Sequence, residues 1–108
     1  MRGIDLTCND TLLSVTEHNT WVLVKFSAPW CEPCQLLDPI FDKLLDQRLD
    51  VEAMKVNVGL QSELTRRCGV SSVPTLLLLK QGQVQSQLLG LQTETQINSW
   101  LDLYIRSV

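Results

Sequence analysis

The chain has 108 residues, of which 44% are hydrophobic and 19% are charged. This length and composition predict a single domain over residues 1–108 with its own core, and they do not indicate disorder. The net charge of −3 argues against a nucleic-acid-binding protein, which needs a basic surface. The apolar runs are too short to span a membrane, and the charged N-terminal residues lack the apolar stretch of a signal peptide. We therefore expect a cytoplasmic protein without membrane contact.

Strand and helix patterns alternate along the chain. They predict, in order, a short strand at 4–7, a helix at 9–18, a buried strand at 21–26, an amphipathic helix at 31–47, a strand at 51–58, a short helix at 62–69, a hairpin at 75–90 and a last helix at 93–105. The order βαβαβαββα predicts an α/β fold with a central mixed β-sheet sandwiched between helices. Its parallel crossovers should be right-handed, and the hairpin should supply the antiparallel part.

Two cysteines, Cys31 and Cys34, lie three positions apart where the buried strand leads into the amphipathic helix. The N-terminus of a helix stabilises a thiolate over a thiol. Cys34, one turn further along, should be close enough to attack a mixed disulfide formed on Cys31. Pro33 fits the first helical turn, where its missing N–H leaves nothing unpaired.

The spacing of the two cysteines allows a metal site, a structural disulfide or redox chemistry. A zinc site would need two more ligands, and Cys8 and Cys68 stand alone in the sequence, so we expect no metal. A purely structural bridge of this spacing closes a small loop and stabilises little. Redox use is favoured. We interpret Cys8 and Cys68 as small buried residues, with a regulatory thiol as the alternative for Cys68.

The segment FSAPWCEPC, a proline five residues after its second cysteine and the downstream Val73-Pro74-Thr75 together resemble the thioredoxin family over essentially the whole chain. The resemblance implies the thioredoxin fold and a thiol–disulfide oxidoreductase that reduces protein disulfides, with Cys31 as nucleophile and Cys34 as resolving cysteine. It also implies no cofactor beyond the Cys31–Cys34 disulfide. Its implied partners are disulfide-containing protein substrates and a reductase that recharges the dithiol. Roles in electron transport and cell redox homeostasis follow, and we expect a monomer.

The resemblance also implies a substrate-binding surface and a cis peptide bond before Pro74. We assign six residues to this surface: Trp30, Glu32, Pro33, Val73, Pro74 and Gly90. The cis bond would expose the backbone of Val73 for pairing with an extended segment. For Trp30, a position in the core is equally compatible with the sequence. The alternative function is a thioredoxin-like binding module or adaptor that holds a partner in this groove, with incidental redox activity.

Lys25 departs from the family pattern, because many members have a buried aspartate there that is thought to move protons for the resolving cysteine. A buried ammonium is costly, so Lys25 should reach solvent, pair with a carboxylate or be partly neutral. Lys55 is expected nearby and would add to this cost. A charged Lys25 would lower the pKa of Cys31, whereas Glu32, a glycine in most members, would raise it. We expect Lys25 to dominate from its less polarisable surroundings, giving a somewhat more oxidising couple.

Overall fold

A computed structural model describes residues 21–105 of the chain. These residues form four strands and three helices: β1 Trp21–Ser27, α1 Glu32–Gln47, β2 Val51–Asn57, α2 Ser62–Arg67, β3 Thr75–Lys80, β4 Gln83–Leu89 and α3 Glu94–Tyr104. Each element predicted from residue 21 onward is present, with small shifts at its ends. The predicted strand at 4–7 and helix at 9–18 lie outside the described residues.

The four strands form one mixed sheet in the order β2-β1-β3-β4. β1 and β2 are parallel, whereas β1 with β3 and β3 with β4 are antiparallel. The antiparallel part is therefore larger than the predicted hairpin, since β3 also runs against β1. The hairpin turns at Gln81 and Gly82, as predicted, and both have positive φ, the conformation that matches the twist of a two-residue hairpin.

Helices cover both faces of this sheet, which confirms the predicted α/β fold. On one face, α2 and the loop after it contribute Leu64 and Val70 to a cluster with strand residues Val22, Val24, Phe26, Val56, Leu77 and Leu79. On the other face, α1 and α3 pack onto strand residues Leu23, Val51, Leu76 and Leu78. The side chains of β1 from Val22 to Phe26 are all buried. This two-sided burial explains the nearly continuous apolar sequence of that strand.

Polar contacts fix the start of α3 and join the end of α1 to α3. Thr93 and Gln96 form the predicted capping box at the start of α3, with reciprocal bonds of 3.1 Å and 2.8 Å. Arg48 follows α1, and its side chain is only 13% exposed. Its guanidinium donates hydrogen bonds to three side chains: Asp50, Asn98 and Asp102. Arg48 therefore ties the end of α1 to α3.

None of the helices within residues 21–105 is long and apolar enough to cross a membrane. In the same part of the chain, no group of three or more histidine, cysteine, aspartate or glutamate side chains could hold a metal ion. Cys68 packs against the cluster on the α2 face and is not a free thiol. The interpretation of Cys68 as a small buried residue is therefore only partly confirmed, because its side chain is half-buried and its sulfur is bonded, whereas Cys8 lies outside the described residues.

Candidate active site

The junction between β1 and α1 carries a disulfide between Cys31 and Cys34. Cys31 is the N-cap of α1, and Cys34 lies in the first turn of the helix. Both residues are buried, in a small cluster with Ala28 against which Val58 and Val73 pack. The two cysteines that the sequence identified are thus bonded to each other, in the oxidised state of a dithiol pair.

Cys31 occupies its N-cap position through its sulfur atom. The backbone N–H of Cys34 donates a hydrogen bond to Cys31 Sγ across 3.2 Å. Pro33 lies inside the first turn and has no N–H of its own to satisfy. After reduction of the disulfide, this donor and the positive end of the helix would stabilise a thiolate on Cys31. The geometry thus distinguishes the two cysteines, because Cys31 Sγ receives the helix N–H.

The loop before β3 lies against the disulfide. The peptide bond between Val73 and Pro74 is cis, as the family resemblance implies. The carbonyl oxygen of Val73 lies 3.9 Å from Cys31 Sγ. Within residues 21–105, neither the N–H nor the C=O of Val73 makes a backbone hydrogen bond. The backbone of Val73, which has no backbone hydrogen bond within this part of the chain, therefore lies directly beside Cys31 Sγ.

Gly90 lies next to the same loop, because its N–H donates to the carbonyl oxygen of Pro74 across 2.9 Å. Its φ of 82° is one that glycine adopts without steric cost. The ring of Pro74 is buried, so this residue shapes the loop more than it presents a side chain. Glu32 and Pro33, by contrast, are exposed on the first turn of α1.

Trp30 is 77% exposed, which decides against the core position that the sequence also allowed. It borders a cavity of about 640 Å³ that opens on this side of the molecule. The cavity is lined by Trp30, Val58, Ser62, Thr65, Arg66, Val70, Ser71, Ser72 and Val73. The structure thus brings Trp30 and Val73 to one cavity, whereas Glu32, Pro33, Pro74 and Gly90 are not among its lining residues. The contribution of α2 was not recognised in the sequence.

Lys25 is buried and paired. Its side chain is 1% exposed, and its Nζ contacts a carboxylate oxygen of Asp38 on α1. The Nζ also lies 5.2 Å from the centre of the Phe41 ring. Of the three outcomes expected for Lys25, the structure excludes exposure to solvent and shows pairing with a carboxylate. Asp38 lies four residues after Cys34, on the same side of α1.

A second lysine lies beside the first, as expected. Lys55 on β2 is the register partner of Lys25, and its Nζ lies 3.0 Å from Asp42. Burial lowers the pKa of Lys25, the positive charge of Lys55 lowers it further, and the charge of Asp42 acts in the opposite direction. The signal that sequence reasoning missed is the pair Asp38 and Asp42, whose spacing of four places two carboxylates over the two lysines.

Comparisons with known proteins agree with this arrangement. A family model described as thioredoxin matches residues 7–103. Thioredoxin 1 from Synechococcus elongatus is 35% identical over 92 residues, which cover 84% of this chain and 86% of that protein. A thioredoxin from Haemophilus influenzae is 36% identical over 85 residues, covering 78% and 79%. Among solved structures, a mutant thioredoxin from Halobacterium salinarum superposes with a TM-score of 0.82 at 36% identity, over 90% of this chain and 85% of that one.

Proposed function

The chain belongs to the thioredoxin family and is a thiol–disulfide oxidoreductase, and we propose that it reduces disulfide bonds of other proteins through Cys31 and Cys34. The observation that carries this proposal is the 3.2 Å hydrogen bond from the Cys34 N–H to Cys31 Sγ. A backbone donor at a helix N-terminus favours the thiolate, which is the reactive form of cysteine. The alternative of a binding module with incidental redox activity is not favoured, since the cysteine pair is intact and the named relatives are thioredoxins.

The reaction runs in two exchanges. The Cys31 thiolate attacks one sulfur of the substrate disulfide, the substrate S–S bond breaks, and the departing sulfur takes a proton. Cys34 then loses its proton and attacks Cys31 Sγ, which breaks the mixed disulfide and releases the second substrate thiol. Two electrons and two protons have reached the substrate, and the protein is left with a Cys31–Cys34 disulfide. A separate reductase returns the two electrons, and no cofactor beyond the disulfide takes part.

The backbone of Val73 would hold the substrate. Its N–H and C=O make no backbone hydrogen bond within the described residues, and they lie beside Cys31. An extended segment could therefore pair with Val73 while its own sulfur meets Cys31 Sγ. We assign Trp30 to an exposed contact, and Pro74 and Gly90 to the shape of the loop. Glu32 and Pro33 would meet the substrate from the first turn of α1.

Lys25 would tune the thiols. Its ammonium is buried, whereas the Asp38 carboxylate that it contacts is 52% exposed and therefore better screened by water. At the nearby sulfurs, the charge of the Lys25 ammonium should thus outweigh that of the Asp38 carboxylate and lower the pKa of Cys31. Because Asp38 cancels part of this field, the effect should be smaller than that of an unpaired lysine. Glu32 acts in the opposite direction from the solvent side.

We place this activity in the cytoplasm, with the protein acting as a monomer. It would carry electrons from a reductase to protein disulfides, and thereby serve electron transport and cell redox homeostasis. A reducing compartment suits such a carrier, because its dithiol must be regenerated after each turnover.

The test is a trapping experiment on a disulfide-containing protein such as insulin. The reduced wild-type protein should release two thiols for each disulfide that it reduces. The Cys34→Ser variant should instead stop as a mixed disulfide through Cys31, detectable by mass. The matched Cys31→Ser variant should trap little. Equal trapping by the two variants would show that the roles are wrongly assigned, and no thiol release by the wild type would reject the proposed activity.

A further inference from the structure

The cavity beside the disulfide reaches beyond the contacts that the reaction needs. Its lining includes Trp30 and Val73, which neighbour Cys31, and the α2 residues Ser62, Thr65 and Arg66, which we call the α2 end of the cavity. Val58 and Val70 add apolar surface to the lining, and Val58 also packs against the cluster of the two cysteines. A volume of about 640 Å³ is within the range of ligand-binding pockets, so the cavity can take side chains of a bound segment. What lies at the α2 end therefore affects which segments bind.

Among the described residues that line the cavity, Arg66 alone is charged. It is 70% exposed, and its Nε and Nη2 donate to the carboxylate of Glu63 at 3.2 Å and 2.5 Å. Within residues 21–105, its Nη1 has no hydrogen-bond partner. A guanidinium with a donor still available can receive a second carboxylate.

The carboxylate of Glu63 is shared between two arginines. Arg67 also binds it, through Nε at 2.7 Å. Two positive charges against one negative charge leave this end of α2 with one positive charge in excess. The charged side chains of α2 therefore sum to one positive charge, although Arg66 is already in an ion pair. Glu32, which follows Cys31 in the chain, is exposed and carries the opposite charge.

We propose that Arg66 makes this protein selective for disulfide-bearing polypeptide segments that carry an acidic side chain at the α2 end of the cavity. An apolar side chain of the same segment would cover Val58 and Val70, and the carboxylate would bind the guanidinium. A basic side chain at that place would be repelled. This inference rests on the proposed reduction of protein disulfides and adds to it the chemistry of the preferred substrate.

The experiment uses synthetic peptides that share one sequence and one cysteine, held as a mixed disulfide with a small thiol. Glu or Lys is placed in turn at every position flanking the cysteine, and thiol release by the reduced protein gives a rate constant for each peptide. At the position that reaches Arg66, the wild type should reduce the Glu peptide roughly fivefold faster than the Lys peptide, the scale of an exposed ion pair. This ratio should fall as the salt concentration rises.

Variants of the two neighbouring arginines separate the role of Arg66 from a general effect of charge. Arg66→Gln should bring the ratio to about one, and Arg66→Glu should invert it. Arg67→Gln removes one positive charge from the same helix without altering the cavity lining, so it should weaken the preference without abolishing it. Circular dichroism checks that α2 is intact in Arg66→Glu. If that variant does not fold, Arg66→Gln still tests the role of Arg66.

Three results would overturn either the role of Arg66 or the proposed function. A ratio near one at every position in the wild type, with normal reduction of the peptides, would reject the role of Arg66 and leave the proposed function standing. An unchanged ratio in Arg66→Gln would reject it as well. If the wild type reduces none of the peptides, and insulin is also not reduced, the proposed function itself is wrong.

Discussion

The buried ammonium of Lys25 contacts the carboxylate of Asp38, which belongs to the helix that carries Cys34. Lys25 lies in the middle of β1, where the strand is covered on both faces. The pair is asymmetric, since the ammonium is 1% exposed and the carboxylate is 52% exposed. The free-energy cost of desolvation therefore falls almost wholly on the lysine. Two effects follow, one on the stability of the fold and one on the pKa of Cys31.

Replacement of Lys25 by methionine should increase the free energy of unfolding at pH 7 by about 1–2 kcal/mol, because an apolar side chain of similar length removes the desolvation cost. Asp38 would stay half exposed and hydrated, so the loss of its lysine partner should lower the free energy of unfolding only slightly. The measurement is guanidinium unfolding of the two oxidised proteins. Lys43→Met is the control, since Lys43 is exposed and pairs with Glu94 instead, and it should change stability by less than about 0.5 kcal/mol.

The same comparison has a defined pH dependence. Burial lowers the pKa of Lys25 in the folded state from its usual 10.5, so the unfolded chain binds more protons between these two values. The wild type should therefore gain stability as pH rises through that window, and its deficit relative to Lys25→Met should shrink. At pH values below the folded pKa the deficit should be constant. A Lys25→Met protein less stable than the wild type at pH 7 would contradict this account.

Removal of the carboxylate should have the opposite effect. Asp38→Asn leaves the buried ammonium without its partner, and we expect a loss of about 1–3 kcal/mol in the free energy of unfolding. In a Lys25→Met background the same change should cost less than about 0.5 kcal/mol. The four proteins form a double-mutant cycle whose coupling energy measures the pair. Equal costs in the two backgrounds would mean that the contact contributes nothing to stability.

The elements and the cysteine pair were predictable because their signals are local. The offsets of apolar residues define α1, and the capping box of Thr93 marks the start of α3. The spacing of Cys31 and Cys34 at a strand–helix junction indicates redox chemistry without knowledge of the fold. These features depend on neighbours within a turn or two of the chain, so the sequence alone was sufficient to locate them.

The partners of Lys25 and the lining of the cavity were not predictable in this way. Asp38 meets Lys25 only because α1 packs on a particular face of β1, and three acceptable outcomes remained for the lysine. The direction of β3 relative to β1 likewise depends on the path of the chain between distant segments. Arg66 lines the same cavity as Val73, a placement that no local pattern encodes. Each of these depends on how elements are placed relative to one another.

Arg48 provides a test of the link between α1 and α3. Arg48→Met keeps the apolar part of the side chain and removes hydrogen bonds to Asp50, Asn98 and Asp102, and it should lower the free energy of unfolding by about 1–2 kcal/mol. Lys43→Met is the control, because Lys43 is exposed and its contact with the half-buried Glu94 is 3.6 Å long, so its loss should cost under about 0.5 kcal/mol. Urea unfolding of both variants gives the comparison.

The effect of Arg48→Met on the free energy of unfolding should also depend on pH. The hydrogen bond from Arg48 holds the pKa of Asp50 below its usual 3.8. A carboxylate with a depressed pKa stabilises the folded state above the unfolded value, and this contribution disappears as pH falls through the folded one. Below about pH 3.8 the wild type should therefore approach Arg48→Met in stability. A difference that stays constant down to the acid transition would show that Asp50 is not the relevant partner.

The last prediction concerns the thiolate of Cys31 in the reduced protein. If the buried ammonium of Lys25 outweighs the screened carboxylate of Asp38, Lys25→Met should raise the pKa of Cys31 by roughly half a unit. Less stabilisation of the thiolate makes the couple more reducing, by roughly 15 mV if only the reduced state changes. Glu32→Gln is the matched variant on the solvent side and should lower the pKa of Cys31 by a smaller amount. Thiolate absorbance near 240 nm against pH gives the pKa values, and a glutathione titration gives the potentials. An unchanged pKa in Lys25→Met would mean that Asp38 cancels the charge of Lys25 completely, so that the helix N-terminus and Glu32 alone set the reactivity of Cys31.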